Sequence, residues 1–404
     1  MAPLKVVVTG ASGFVGRQLV PLLEAQGATV LLAGRDLDNL ASVFPGRDRT
    51  TYADLAAKAA GYDVLVHLAT LNSDAAADPA AFDKVNVGLL LDTVEQARSA
   101  GIHRFVNVSS IHALDDRDRR PYAVSKRRAV ERLQEVTGIA VETVYLALVY
   151  SQAWAGRLAV LNRWPAPLAK AAFALLSAFK PTTHVERLAA YIVAPSPESR
   201  DPDVIITDGQ AGNLFYRSVT RIVDLGFALA VAVFFWWGLL IVWALIKLQS
   251  PGPGIFRQER VGRNGVPFTC YKFRTMKIGT AHVATHEVGA SSVTPLGAFL
   301  RKTKIDELPQ IWNIARNEIS LIGPRPCLPV QAELVEARRI RGVLTLKPGI
   351  SGLAQINGID MSDPVRLAQW DARYLALQSL LLDLKIVLAT ATGRGQGDKV
   401  RAAP

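Results

Sequence analysis

The sequence predicts an α/β fold in two unlike halves: a doubly wound parallel sheet, then a membrane-inserted helix and a small α/β-containing region with amphipathic interfacial helices. Three observations predict it. From residue 5 to about residue 150, short β-branched runs alternate with segments of helical periodicity. A 22-residue stretch without a charge, Leu225–Ile246, then interrupts the chain. The charge is also lopsided, since residues 1–210 hold 22 Lys/Arg and 22 Asp/Glu while residues 211–404 hold 24 and 13.

At roughly 150 residues per domain, 404 residues make two or three domains, and the composition divides them at 1–210, 211–250 and 251–404. Half of the residues are hydrophobic, 20% are charged and the mean hydropathy is +0.20, which excludes disordered, collagenous and disulfide-scaffold classes and points to contact with lipid. The net charge of +11 lies wholly in the second half, so it does not indicate nucleic acid. The basic run Arg117–Arg128 is likewise balanced by Asp115, Asp116, Asp118 and Glu131. Cys270 and Cys327 have neither metal-ligand nor redox spacing. The N-terminus MAPLKVVVTG enters a strand directly and has no secretory h-region, so the first half is expected in the cytoplasm.

The predicted strands are Val6–Thr9, Thr29–Ala33, Val64–Leu68, Phe105–Ser109 and Val141–Ala147, with helices near 15–26, 80–100 and 122–137. Alternation at this spacing makes the strands parallel, because each helix provides the crossover. The first strand runs into Gly10-Ala11-Ser12-Gly13-Phe14-Val15-Gly16 and then an amphipathic helix. Glycines there permit a tight turn, close approach of backbone to a pyrophosphate and close helix–strand packing, while the helix N-terminus offers unpaired N–H groups. Tyr122 and Lys126 lie four apart, on one helix face, after a strand that ends at Ser109-Ser110. A phenol acts as acid or base when an ammonium favours its phenolate, and a serine hydroxyl orients a carbonyl or alcohol.

Together these motifs resemble the short-chain dehydrogenase/reductase superfamily, in its extended, nucleotide-sugar-modifying branch, over roughly residues 4–210. The resemblance implies a Rossmann-like domain that binds NADP or NAD. Gly10, Gly13 and Gly16 would hold the pyrophosphate, Asp54-Leu55 would contact adenine, and HLAT at 67–70 would line the cofactor, with Asn86 in the following helix. Ser110, Tyr122 and Lys126 would be the catalytic trio, with Ser109 as the alternative serine. Arg35 stands where many NAD-preferring relatives place an acid and suits a 2′-phosphate; Asp36 follows it, so both cofactors stay open. Fewer than ninety residues separate Lys126 from the end of this half, a small substrate-binding portion for the branch. A non-catalytic domain that binds nucleotide or holds an oligomer together is therefore the alternative.

Pro195, Pro197 and Pro202 mark a surface loop, and GQAGN at 209–213 the boundary between halves. At 1.5 Å per residue, a straight helix over Leu225–Ile246 is roughly 33 Å long, enough for a hydrocarbon core of about 30 Å. Arg217 and Arg221 precede it and Lys247, Arg257, Arg260 and Arg263 follow, so basic residues flank both ends. That pattern fits a re-entrant insertion with both ends cytoplasmic. Asp224, just inside, would pair with Arg221. His282 and His286 have helical metal-ligand spacing, but their Thr/Ser/Gly-rich setting reads as a loop.

The motifs beyond are SPGPGIFRQERVGRNG (250–265), YKFRTM (271–276), LRKTKIDELPQIWN (300–313), ISLIGPRP (319–326) and LKPGISGLAQINGID (346–360). Paired acids such as Asp306 and Glu307, set among Arg301, Lys302, Lys304 and Arg325, can hold Mg²⁺ or supply a nucleophile while arginines clamp phosphate oxygens. From about Tyr216 to Gly393, ending in LLLDLKIVLATA at 380–391, the motifs closely resemble the bacterial sugar transferase family of monotopic polyprenyl-phosphate phosphoglycosyl transferases. The resemblance implies transfer of a sugar 1-phosphate from a UDP-sugar to undecaprenyl phosphate, with Mg²⁺ and a covalent aspartyl intermediate. Asp306 would be the nucleophile, Glu307 a metal ligand beside it, and Lys272, Arg274 and Arg325 the phosphate or nucleotide contacts. One departure is that Trp236-Trp237, followed by Gly238, replaces the Ser-Pro that usually breaks the membrane helix.

The resulting expectation is a bifunctional enzyme of glycan assembly at the bacterial inner membrane, both domains facing the cytoplasm. The first domain would reduce a 4-keto UDP-sugar or epimerise a UDP-sugar at C4, and the second would load the product onto undecaprenyl phosphate. The partners implied are UDP-sugar, undecaprenyl phosphate and inner-membrane lipid, without nucleic acid; a homodimer is compatible with the sequence. A polytopic transporter is excluded by the single long apolar segment.

Overall fold

The computed structural model describes residues 3–151, 154, 156–195, 203–277, 279 and 292–393. The chain forms two compact units, Met1–Ala169 with Pro181–Asp208, and Lys170–Lys180 with Gly209–Pro404.

The first unit is built on a seven-stranded sheet. Its strands are β1 (Lys5–Thr9), β2 (Thr29–Ala33), β3 (Arg49–Thr50), β4 (Val64–His67), β5 (Arg104–Ser110), β6 (Ala140–Leu146) and, after the small parallel pair β7 (Leu148–Tyr150) and β8 (Thr182–His184), β9 (Asp203–Ile206). The order is β3-β2-β1-β4-β5-β6-β9, and every pairing is parallel. Alternation along β1 sends Val6 and Val8 into one apolar layer with Leu19, Leu23, Leu188 and Ile192, and Val7 into the opposite layer with Leu31, Leu65, Leu90 and Phe105. Burial on both faces is what allows these strands to read as unbroken hydrophobic runs. All five predicted strands are present, whereas β3, β7, β8 and β9, at two to four residues each, are too short to show a period. Strand order reverses between β1 and β4, which opens a crevice at the carboxyl ends of the strands, the usual ligand position in such sheets.

The second unit contains the antiparallel hairpin β10 (Ile255–Val261) and β11 (Pro267–Phe273), the short parallel pair β12 (Ser320–Ile322) and β13 (Gly349–Ser351), and helices around them. One apolar core joins Val261 and Cys327 to helices Ala332–Ile340 and Pro364–Leu377 through Leu334, Leu367 and Ala368. A buried Arg338–Asp371 pair, Nε to Oδ2 2.9 Å, links the same two helices. Cys270 and Cys327 are buried free thiols.

The long apolar segment is two helices, Leu214–Phe234 and Trp236–Gln249, bent by 70° at Phe235. Among the described residues no single helix is long and apolar enough to cross a membrane, although this bent pair is so by length and composition together. The break precedes Trp236-Trp237, and Gly238 lies inside the second helix, so glycine does not make it. Instead the Trp237 indole Nε1 donates to the Phe234 carbonyl at 3.0 Å, satisfying an acceptor that the break would orphan. The predicted Asp224–Arg221 pair is corrected. Asp224 accepts from Ser320 Oγ (2.8 and 3.0 Å) and the Leu321 N–H (2.8 Å), and Arg221 donates to the carbonyls of Ile314 (2.7 Å) and Ala315 (3.1 Å). Both side chains reach the domain packed on the helix rather than each other. Pro197, Pro202, His282 and His286 lie outside the described residues.

Candidate functional site

In the first unit the glycine turn begins at Gly10, whose φ of +68° and whose closeness to Ala69 N (2.5 Å from an added Cβ) leave no room for a side chain. An added Cβ at Gly16 would lie 2.4 Å from the Ala11 carbonyl oxygen, so this glycine packs helix Phe14–Ala25 onto the turn. Gly13 is the N-cap and makes no side-chain cap, which leaves the first N–H groups of that helix available to an anion. The cradle therefore fits a dinucleotide pyrophosphate. At the end of β2, Asp36 caps helix Leu37–Val43 by accepting the Asn39 N–H at 2.9 Å, while Arg35 is exposed. Asp54 accepts from Thr51 Oγ1 at 2.9 Å. The Leu55 side chain is fully buried among Val7, Leu31 and Leu65, so any nucleotide contact there is made by its backbone.

Ser110 ends β5, and helix Pro121–Leu133 carries Tyr122 and Lys126 one turn apart. Burial raises the Tyr122 phenol, and a hydrogen bond with Ser110 works against that. Lys126 is fully buried; its Nζ donates to the Val108 carbonyl at 3.4 Å, and desolvation lowers its pKa to about 8. The geometry thus brings together Ser110, Tyr122 and Lys126. Ser109 points inward, its hydroxyl buried and without a hydrogen-bond partner. Asn86, in a π-helical segment Lys84–Leu89, accepts from the Leu71 N–H (2.7 Å) and Thr70 Oγ1 (2.9 Å) and donates to Ser125 Oγ at 2.9 Å. It ties the loop after β4 to the helix of Tyr122 and Lys126. His67 is buried, shares a hydrogen bond with Thr9 Oγ1 (3.0 Å), and is held neutral by burial and the Lys126 charge, with a pKa lowered to about 3.

In the second unit, helix Pro295–Thr303 stops at Lys304, a non-glycine residue at φ +58°, and the turn Ile305–Gln310 presents Asp306 and Glu307. Glu307 Oε1 accepts from Lys272 Nζ at 2.7 Å and from Arg325 Nη1 at 3.4 Å. Burial would raise the Glu307 carboxyl, but Lys272 and Arg325 outweigh it and hold the group ionised below the usual range. Half-buried Asp306 moves the other way, raised by burial and then by the Glu307 charge. Glu307 lines a cavity with Lys272, Arg325, Arg260, Gln310, Pro326, Gly349 and Ile350.

The structure brings Lys272 and Arg325 together at Glu307, whereas Arg274 lies elsewhere. Its guanidinium donates to the carbonyls of Pro251 (2.8 Å), Ser250 (2.8 Å) and Ile246 (3.3 Å), closing the C-terminus of helix Trp236–Gln249. The missed residues are Arg260 and Gln310 in the cavity and Asn313 behind it. Buried Asn313 accepts the Tyr271 N–H (3.2 Å) and donates to the Thr269 carbonyl (2.7 Å), fixing β11, and with it Lys272, against the Asp306–Glu307 turn. Each lies inside a motif, but only the fold gives it a direction. Among the described residues no cluster of three or more His, Cys, Asp or Glu forms a metal cage. The adjacent carboxylates fit a Mg²⁺ that keeps waters and substrate phosphates as its other ligands.

Residues 215–395 match the bacterial sugar transferase family, and residues 6–155 the NAD dependent epimerase/dehydratase family. A UDP-glucose:undecaprenyl-phosphate glucose-1-phosphate transferase of Caulobacter vibrioides is 38% identical over 179 residues, covering 42% of this chain and 67% of that protein. A putative undecaprenyl-phosphate N-acetylgalactosaminyl 1-phosphate transferase of Bacillus subtilis is 42% identical over 120 residues, 29% of this chain and 67% of that one. Among solved structures, UDP-N-acetylglucosamine 4-epimerase from Bacillus cereus aligns with 55% of this chain and 85% of its own, at 20% identity and a TM-score of 0.40. The chain belongs to the bacterial sugar transferase family and carries an NAD dependent epimerase/dehydratase family domain ahead of its transferase domain.

Proposed function

We propose that the chain transfers a sugar 1-phosphate from a UDP-sugar to undecaprenyl phosphate through Asp306, and that its first domain reduces or epimerises the UDP-sugar. The observation that supports this best is the divided carboxylate pair: Glu307, lining a cationic cavity, is kept ionised by Lys272 and Arg325, while the adjacent Asp306 makes no ion pair with either. The named activity of the Caulobacter relative supports the same reading.

In the transfer, an Asp306 carboxylate oxygen attacks the sugar-bearing phosphorus. The bond from that phosphorus to the bridging oxygen breaks, and UMP departs with the electron pair. An oxygen of undecaprenyl phosphate then attacks the same phosphorus and releases Asp306 as carboxylate. Lys272, Arg325 and Arg260 stabilise the phosphate oxygens, where planar guanidinium groups bind bidentately. Mg²⁺ held by Asp306 and Glu307 would neutralise charge on the diphosphate. In the first domain, NADP or NAD bound along Gly10–Gly16 would supply or accept hydride. Tyr122 moves the proton at the sugar C4 oxygen, Ser110 orients that oxygen, and the Lys126 ammonium favours the phenolate. The Arg35–Asp36 arrangement favours NADP, because the Asp36 carboxylate is used as a helix cap.

The division proposed is 1–210 for the cofactor domain, 211–250 for the membrane helix and 251–404 for the transferase. Phe234, Phe235, Trp236 and Trp237 at the bend are all more than half exposed, which supports insertion of the bend into the inner membrane with both ends cytoplasmic. Helix Leu380–Ala391, with Ile386 buried and Leu381, Leu384 and Leu388 exposed, fits an interfacial helix. The test is the full chain in lipid nanodiscs with undecaprenyl phosphate, Mg²⁺ and a panel of UDP-sugars and 4-keto UDP-sugars, following UMP and NAD(P)H absorbance. UMP release is expected, and its persistence in Asp306→Asn would remove the nucleophile.

A further inference from the structure

Helix Ala166–Phe179, APLAKAAFALLSAF, has Lys170 as its one charged residue. Leu168, Leu175 and Phe179 recur at spacings of seven and four, hence on one face, and are 58%, 44% and 40% exposed. Ala169 and Ala178, one on each flank of the stripe, are buried. A stripe of this kind is costly in water and needs an occupant.

Residues Lys170–Lys180 pack as part of the second unit although in sequence they belong to the first half. Gln210 Nε2 donates to the Ser177 carbonyl at 2.6 Å, an acceptor in the last turn that has no partner within the helix. Asn213, the N-cap of helix Leu214–Phe234, donates to the Ala174 carbonyl at 2.8 Å. The Phe179 and Phe215 rings are 6.5 Å apart, and Leu214 and Phe215 are exposed in turn. The apolar stripe is therefore continuous with the exposed face on which the bent helix pair begins. Lys170 and Lys180, both exposed, stand near its ends, where an anionic headgroup layer attracts them.

We propose that helix Ala166–Phe179 is a second membrane-contact element, lying at the headgroup–acyl boundary beside the root of the re-entrant pair. The proposal rests on the membrane reading given above. Its occupant is lipid.

Leu175→Cys and Leu240→Cys are each labelled with an environment-sensitive fluorophore in the full chain, the native thiols being buried, and reconstituted in nanodiscs whose lipids carry a quencher either near the headgroups or deep in the acyl chains. The label at 175 is expected to be blue-shifted and quenched by the shallow probe, and the label at 240 by the deep one. Quenching at 240 without quenching at 175 overturns the proposal and leaves the re-entrant pair standing; the stripe is then covered by protein or exposed to water. Loss of quenching at both positions overturns the membrane reading and this proposal with it.

Discussion

Asp306 and Glu307 are chemically alike neighbours whose surroundings drive them apart, and the roles proposed for them rest on that difference. With its carboxyl raised by burial and by the Glu307 charge, Asp306 takes up a proton at a higher pH than an ordinary aspartate. The nucleophile must be ionised, so UMP release is expected to fall on acidification at a pH above the usual aspartate range, as a pH–rate profile measures. Asp306→Asn is expected to reduce UMP release by about 1000-fold or more, as for other lost nucleophiles. In the first domain Lys126 titrates near 8, and the ammonium is the form that favours the Tyr122 phenolate. NAD(P)H-linked turnover is therefore expected to decline as pH rises through about 8, because the ammonium is then lost. Tyr122→Phe should abolish that turnover while leaving UMP release from an already modified UDP-sugar intact. Unchanged NAD(P)H-linked turnover would assign the domain a binding role instead.

At the scale of elements, the residues that close helix ends deserve the same weight as those facing substrate. Arg274 lies in YKFRTM two residues after Lys272, but it falls just past the end of β11, where strand alternation no longer sets its direction, and the helix Trp236–Gln249 leaves carbonyls to be satisfied. Arg274→Ala is expected to cost about 2 kcal/mol of stability, in line with charge-assisted hydrogen bonds, and to leave the KM for UDP-sugar unchanged. Thermal melting together with initial-rate kinetics would separate that from a substrate contact. Trp237 has a comparable part at the bend, where its indole replaces the effect of a proline. Trp237→Phe keeps the apolar ring and removes the N–H, and is expected to cost about 1 kcal/mol.

For the whole molecule, the proposed use of cytosolic nucleotides by both domains makes one topological prediction about the bent helix pair. Cysteines placed in residues 1–210 and in 255–393 should be labelled by an impermeant reagent from the same face of sealed inside-out vesicles; labelling from opposite faces would mean a spanning helix.

The period of the β-branched runs and the glycine turn determined the parallel sheet, since burial on both faces writes itself into composition. Tyr122 with Lys126 and Asp306 with Glu307 were legible as candidates, because short, fixed spacings on one helix or turn bring side chains together. Tertiary structure alone decided which serine faces Tyr122, that Arg274 closes a helix, that Asp224 turns to Ser320, and that Lys170–Lys180 packs with the second unit. The physical reason is that hydrogen-bond direction and packing partners depend on elements distant in sequence, about which local spacing carries no information.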